Sequence, residues 1–310
     1  MLRYVSVGLG VAAILLACGS ESSSEFPNNG NGNGNDAGGS IGLGSDAGPP
    51  PPAIECRKMD IVFVIDNSSS MDKEQEALAA NFPGFIKLIN EYKTAAGEEL
   101  DYRIAIVSTD IGEAGNFHRE RGKSPIIGTC GPGDLEMPWL ERHDGIDAEF
   151  SCRAQLGVLG NTRELPLECA RLGLTDRIAD GSNTIKGASF LRDDALLALV
   201  VISDEDDGGG DHDAVQKPSP LDTPESYAKS FDGVKGGYRG RWATAVIAGE
   251  RYCLDGQFGT ADQAVRLQQF AEIAKPNSVF SSICSKDFTT SLKEAFDVFA
   301  NACKGFPAVR

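Results

Sequence analysis

Asp66, Ser68 and Ser70 alternate in the stretch MDIVFVIDNSSSMD, one carboxylate and two hydroxyls spaced D-x-S-x-S. In a turn that leaves a strand, this spacing can aim all three side chains at one point. Hard oxygens of this kind suit Mg²⁺, which asks for near-octahedral geometry and keeps waters on the positions the protein leaves open. The plainer alternative is an N-cap cluster that starts a helix, since Asp, Asn and Ser all favour that position. A second acidic stretch, DEDDGGGDHD, begins at Asp204, directly after the apolar run ALLALVVIS. Its acids at 205, 206, 207, 211 and 213 lack EF-hand spacing, so a solvated acidic loop is expected over a second Ca²⁺ site. His212 stands alone among these acids, too little for a transition-metal centre.

Other chemistries lack their residues. There is no H-E-x-x-H, no phosphate-cradling glycine loop and no G-x-S-x-G elbow between strand and helix. His118, His143 and His212 are the only histidines. An aspartyl nucleophile for phosphoryl transfer needs a second acid two residues on, where this chain has Ser68. A metal-dependent hydrolase is therefore the weakest reading, and no enzyme is expected.

The elements that must position Asp66 are legible. Residues 61–65 (IVFVI) and 195–203 are apolar on both faces, as central strands covered by helices are. Strands are also expected at 101–108, followed by Thr109-Asp110, and at 242–248 and 279–283. Leu78, Phe82, Phe85, Ile86 and Ile89 recur at helical spacing. That helix should open on a weak Asp72/Gln75 capping box and kink or break at Pro83. Further helices are expected at 164–174, 224–231, 261–274 and 288–303. The pattern predicts an α/β fold, doubly wound, with a mostly parallel central sheet flanked by helices. In such a sheet ligands bind at the carboxyl ends of the strands. Residues 112–151 form a Gly/Pro-rich insertion, either a surface excursion or a functional loop.

The order of D-x-S-x-S, a helix, and a buried strand ending in Asp204 resembles the von Willebrand factor type A (vWA) domain family. Its metal-ion-dependent adhesion site opens with D-x-S-x-S. NFPGFI, DYRIAIVSTD and FLRDDALLALVVISDEDD further resemble a group of bacterial vWA lipoproteins. The resemblance implies a Rossmann-like fold and a metal site of Asp66, Ser68, Ser70 and Asp204. It also implies a threonine from the loop LGVLGNTRE. Val158 occupies the aligned position, and Thr162, four residues on, is the substitute. Mg²⁺ is the implied cofactor, with Mn²⁺ or Ca²⁺ as alternatives. A partner protein's acidic side chain would complete the shell. The family also has an edge strand near the metal face, here within 112–151, and in some members a last helix that shifts on binding. The resemblance brings Cys56 close to Cys303, and a bridge there would oppose such a shift. The alternative function is a structural or assembly subunit with a degenerate metal site.

Residues 1–18 read as a lipoprotein signal: Arg3 is the only charge, then an apolar stretch ends in Leu15-Leu16-Ala17-Cys18. This resembles a lipobox, implying acylation of Cys18 and, with Gly19 next, an outer-membrane destination. Residues 19–53, rich in Gly, Asn, Ser and Pro, should be a disordered tether. Residues 54–304 are expected as one vWA domain and 305–310 as a tail. Without the signal, 28 Lys and Arg face 45 Asp and Glu, a net −17. That excludes ordinary nucleic-acid binding, which neutralises phosphates with cations. Membrane contact is expected through the lipid only. Seven cysteines remain after Cys18. Cys130–Cys152 and Cys253–Cys284 are expected loop staples, which leaves Cys169 free, although spacing alone leaves connectivity open.

Overall fold

The computed structural model describes residues 53–119, 137–160, 164–208, 223–255, 259–285 and 287–308. The chain runs β1 (Lys58–Ile65), α1 (Asp72–Glu91), β2 (Asp101–Ser108), β3 (Leu140–Glu141), α2 (Ile146–Arg153), α3 (Pro166–Leu174) and α4 (Asp176–Ala179). It continues through β4 (Thr184–Ile185), β5 (Ala188–Ser189), β6 (Ala195–Ile202), α5 (Pro224–Val234), β7 (Trp242–Ala248) and β8 (Cys253–Asp255). The last elements are β9 (Gly259–Ala261), α6 (Val265–Ala274), β10 (Ser278–Ser282) and α7 (Phe288–Lys304).

Six strands form one sheet in the order β10-β7-β6-β1-β2-β3, parallel except for β3. Alternate residues of the central strands feed two cores. Ile61, Phe63 and Ile65 pack with α1, α2 and α7, while Val62 and Val64 pack with α3, α5 and α6. This two-sided burial explains the unbroken apolar runs. Phe63 meets Phe82, Phe85 and Phe150 at ring-centroid distances of 4.8–5.5 Å, tying β1 to α1 and α2.

Several expectations are corrected. Of the two outcomes expected at Pro83, the break does not occur, since helix α1 continues through it. An interior proline costs about 3 kcal/mol, and the buried face of Leu78, Phe82, Phe85, Ile86 and Ile89 offsets it. The expected capping box does not form, because α1 makes no side-chain cap bond and Gln75 reaches elsewhere. The edge strand β3 pairs with Arg103 and Ile104, toward the amino end of β2 and away from its carboxyl edge. Helix α3 starts at Pro166 rather than at 164, and α6 at Val265 rather than 261, because residues 259–261 form β9.

The two ends of the domain are held together. Ala53 bridges to Pro307, Ile54 N–H donates to the Phe306 carbonyl (2.7 Å), and Cys56 is bonded to Cys303. Residues 305–308 are thus no free tail, and Phe306 is buried. A second disulfide joins Cys253 to Cys284. Cys152 is also disulfide-bonded, while Cys130, its expected partner, lies outside the described residues. Cys169 is free and buried. Among the described residues no helix is long and apolar enough to cross a membrane.

Candidate metal centre

From β1 the sheet order runs one way through β2 and the other through β6. This is the switch point of a doubly wound sheet, where the loops diverge and leave a crevice. Ile65 pairs with Ser108 on one side and Ile202 on the other. The next rung is therefore Thr109, Asp66 and Ser203, confirmed by Thr109 N–H to the Ile65 carbonyl and Asp66 N–H to the Ile202 carbonyl.

Asp66 is fully buried. Its Oδ1 accepts from the Ser68 N–H (2.8 Å) and its Oδ2 from the Ser203 hydroxyl (2.6 Å). The Ser68 and Ser70 hydroxyls lie 2.9 Å apart. Ser68 stands at the N-cap position of a short 3-10 turn, Ser69–Met71, but its hydroxyl makes no cap bond there, and α1 has no side-chain cap bond either. Asp204 is buried beside Asp66, interacts with the Ser70 hydroxyl, and has no hydrogen-bond partner for Oδ1. Four of the expected donor residues, Asp66, Ser68, Ser70 and Asp204, are thus brought together. Thr162 lies outside the described residues, and Val158 offers no donor.

Two further acids join the basin that the sequence reading missed. Glu164 is fully buried, accepts from the Thr109 hydroxyl through Oε2, and leaves Oε1 without a partner. Glu74, in the first turn of α1, is buried with Oε2 unpartnered. The sequence signal for Glu164 was its place just ahead of Pro166, which reads as an ordinary acidic helix start. Gln75, expected in a capping box, has a different role. Its amide donates to the carbonyls of Asp66 (2.7 Å) and Gly157 (2.9 Å) and accepts from the Gly157 N–H, clamping the 157–160 loop to the D-x-S-x-S loop. On the other side Gly160 N–H donates to the Asn67 carbonyl. A Cβ at Gly160 would fall 2.2 Å from Asn67 Oδ1, so only glycine fits. Between these anchors Leu159 projects with 95% of its surface exposed.

The acidic loop is not simply solvated. Asp206 accepts from the Arg266 and Leu267 N–H groups at the start of α6. Buried Asp207 accepts from the Leu167 N–H at the start of α3 and pairs with Arg266. These two acids serve helix N-termini, where negative charge is favoured. Asp211, His212 and Asp213 lie outside the described residues.

The electrostatics mark the basin. Burial raises the Asp66 pKa, and burial together with the Asp66 charge raises those of Asp204 and Glu164. Burial pushes Glu74 up to about 7. At the other end of β1, equally buried Asp60 is met by the Arg192 guanidinium at 2.8 Å. Asp66 and Glu164 meet no cation: Asp66 is met by the Ser68 amide, the Ser203 hydroxyl and the neighbouring Asp204 carboxyl, and Glu164 by the Thr109 hydroxyl. Buried like charges without a counter-ion are costly, and a bound divalent cation would supply one. Among the described residues no three Asp, Glu, His or Cys side chains are arranged to hold an ion by themselves. The fitting set is mixed: Asp66 and Asp204 with the Ser68 and Ser70 hydroxyls. The unpartnered Asp204 Oδ1 is the atom such an ion would satisfy.

No protein-family model matches this sequence, and no curated protein matches it. Among solved structures, it is similar to proximal thread matrix protein 1 from the mussel byssus at 12% identity. That match covers 79% of this chain and 49% of that one, with a TM-score of 0.39. A form of the same protein with a zinc-occupied MIDAS motif matches at 12% identity, covering 80% and 46%, with a TM-score of 0.36. The manganese-loaded TRAP protein of Plasmodium vivax matches at 10% identity, covering 81% and 75%, with a TM-score of 0.38. The chain spans about half the length of the mussel protein. Such values assign no residue role to this chain.

Proposed function

We propose that this chain is a vWA-type binding module that captures a partner protein through a divalent cation held by Asp66, Ser68, Ser70 and Asp204. The observation that carries the reading is Asp204 Oδ1, a buried carboxylate oxygen with no partner, beside a second buried carboxylate and two hydroxyls. Mg²⁺ is the proposed ion, with Mn²⁺ and Ca²⁺ as alternatives, because all the donors are hard oxygens. When bound, the ion would offer open positions to an oxygen donor, and an acidic side chain of the partner is the proposed one. The module would be exported, as its disulfides suit an oxidising compartment. Acylation at Cys18 would hold it at the outer membrane, with residues 19–53 as a leash.

The test is thermal unfolding of the full chain in EDTA, Mg²⁺, Mn²⁺ and Ca²⁺, beside Asp66→Ala. An ion at a hundred times its dissociation constant stabilises the native state by about 2.7 kcal/mol. In a domain of this size that is a rise of roughly 5–10 °C, lost in Asp66→Ala. A melting temperature indifferent to all three ions would sink the reading. The second reading, an assembly subunit without a working metal site, would then take its place. It draws on Asp66 having both oxygens already engaged within the chain.

A further inference from the structure

We propose that the outer edge of β10 is a strand-pairing surface through which two copies of this chain join, β10 against β10, antiparallel about a two-fold axis at Phe280. The phase of the ladder shows which groups are free. Thr244 N–H donates to the Asn277 carbonyl, and Ile283 N–H donates to the Ala248 carbonyl. Such bonds alternate along a strand, so Val279 and Ser281 turn their N–H and C=O groups to β7. Ser278, Phe280 and Ser282 turn theirs the other way, off the last strand of the sheet. Among the described residues, the backbone groups of Ser278 and Phe280 and the Ser282 N–H meet no partner. The Ser282 carbonyl accepts one long bond, from the Ser285 N–H (3.3 Å).

The opposite edge of the sheet is protected against such pairing. There β3 is two residues long, meets β2 only at Arg103 and Ile104, and carries Glu141 in an ion pair with Arg103. Farther along β2 the Ile106 carbonyl accepts from the His118 N–H (2.8 Å), and Asp110 bridges to Glu164. A short strand, edge charges and a covering segment are the usual means of blunting an edge. Among the described residues β10 has none of them. Its sequence, SVFSS, holds no charge and no proline, and all five residues are half-buried where those of β6 and β7 are fully buried.

A row of unpaired N–H and C=O groups takes a strand, and this row fits a second copy of itself. A two-fold at Phe280 sets Phe280 opposite Phe280 and Ser278 opposite Ser282, the very residues whose backbone groups face outward. Residues opposed in this way exchange both of their bonds. Charge favours the same occupant. The chain carries a net charge of −16, so most of its surface would repel a copy. The residues of this seam are neutral and set no like charges opposite one another. Its length of five residues lies at the small end of specific interfaces, so a weak dimer that forms at high local concentration is expected. The two six-stranded sheets become continuous, with their carboxyl edges facing opposite ways. Neither the seam nor its strength involves the metal centre.

Sedimentation equilibrium of the full chain in EDTA, from about 1 μM to about 1 mM, should show monomer and dimer in exchange. Over the same range amide exchange should slow at Ser278, Phe280 and Ser282, while Val279 and Ser281, bonded to β7, stay protected throughout. Ser278→Pro removes an outward N–H at the first residue of an edge strand, where proline is tolerated. Each dimer then lacks two hydrogen bonds, and its dissociation constant should rise about tenfold or more. Ser278→Lys/Ser282→Lys sets like charges opposite one another and should abolish the dimer. Ser278→Lys/Ser282→Glu sets opposite charges there and should restore it. These two pairs carry the test should the proline variant not fold. A parent that stays monomeric with freely exchanging edge amides would overturn the proposal and leave the edge to a strand of another protein. A monomer with those amides protected would overturn it in favour of a segment of the same chain. A dimer indifferent to all three variants would place the contact on another surface and equally overturn it.

Discussion

The Cys56–Cys303 bridge closes almost the whole domain, with a sequence separation of 247, whereas Cys253–Cys284 closes a loop with a separation of 31. Cross-linking removes disorder from the unfolded chain in proportion to the logarithm of loop length. For these loops the entropy relation gives about 5.5 and about 3.7 kcal/mol at 25 °C. Cys56→Ala/Cys303→Ala should therefore destabilise the protein by about 2 kcal/mol more than Cys253→Ala/Cys284→Ala. The native ends should stay together meanwhile, because the Ile54–Phe306 and Cys56–Cys303 backbone bonds do not need the sulfurs. The assay is equilibrium urea unfolding of the three full chains, with stability from the midpoint and slope. The urea slope should rise in both variants, and more in the first, as the freed unfolded chain exposes more surface. Equal losses, or a larger loss from opening the short loop, would refute the chain-entropy reasoning. They would mean that packing around the sulfurs dominates.

Two more outcomes follow from single side chains. Gln75→Leu removes three hydrogen bonds to the backbone of Asp66 and Gly157. At roughly 1 kcal/mol each, it should cost about 3 kcal/mol in urea unfolding and speed amide exchange at Gly157. A loss near zero would show that the clamp is idle. Tyr92 donates to Glu55, and burial first, then that carboxylate, raises its phenol from 10 to about 12. The fold favours the neutral phenol, so this contribution is whole below pH 10 and disappears as pH climbs toward 12. Tyr92→Phe should be less stable at pH 8 by about 1 kcal/mol and show a flatter alkaline decline. A parallel decline would assign the alkaline loss to other groups.

The local sequence settled the strands and pointed to the first residues of the candidate site. Side chains of a strand buried on both faces must be apolar whatever they touch, so residues 61–65, 104–107, 195–202 and 242–248 were legible without partners. Asp66 and Asp204 were legible because each ends such a run, and D-x-S-x-S because its three donors are adjacent in the chain. The Cys253–Cys284 bond joins short-range neighbours. Cys56–Cys303 was expected from the family resemblance, which implies that the start of the first strand lies near the end of the last helix, and the structure has that bond.

Tertiary structure alone decided the rest. Glu164 meets Thr109 across 55 residues and Gln75 meets Gly157 across 82. A glutamate ahead of a proline and a glutamine in a first helical turn look identical in sequence whether exposed or buried. The same holds for Asp206 and Asp207, whose partners sit on helices 40 to 61 residues away. Periodicity reports the face a side chain occupies, which is a local property. Whether a polar group on that face is solvated, capped or left with an orphan oxygen depends on groups that only the closed sheet brings to it.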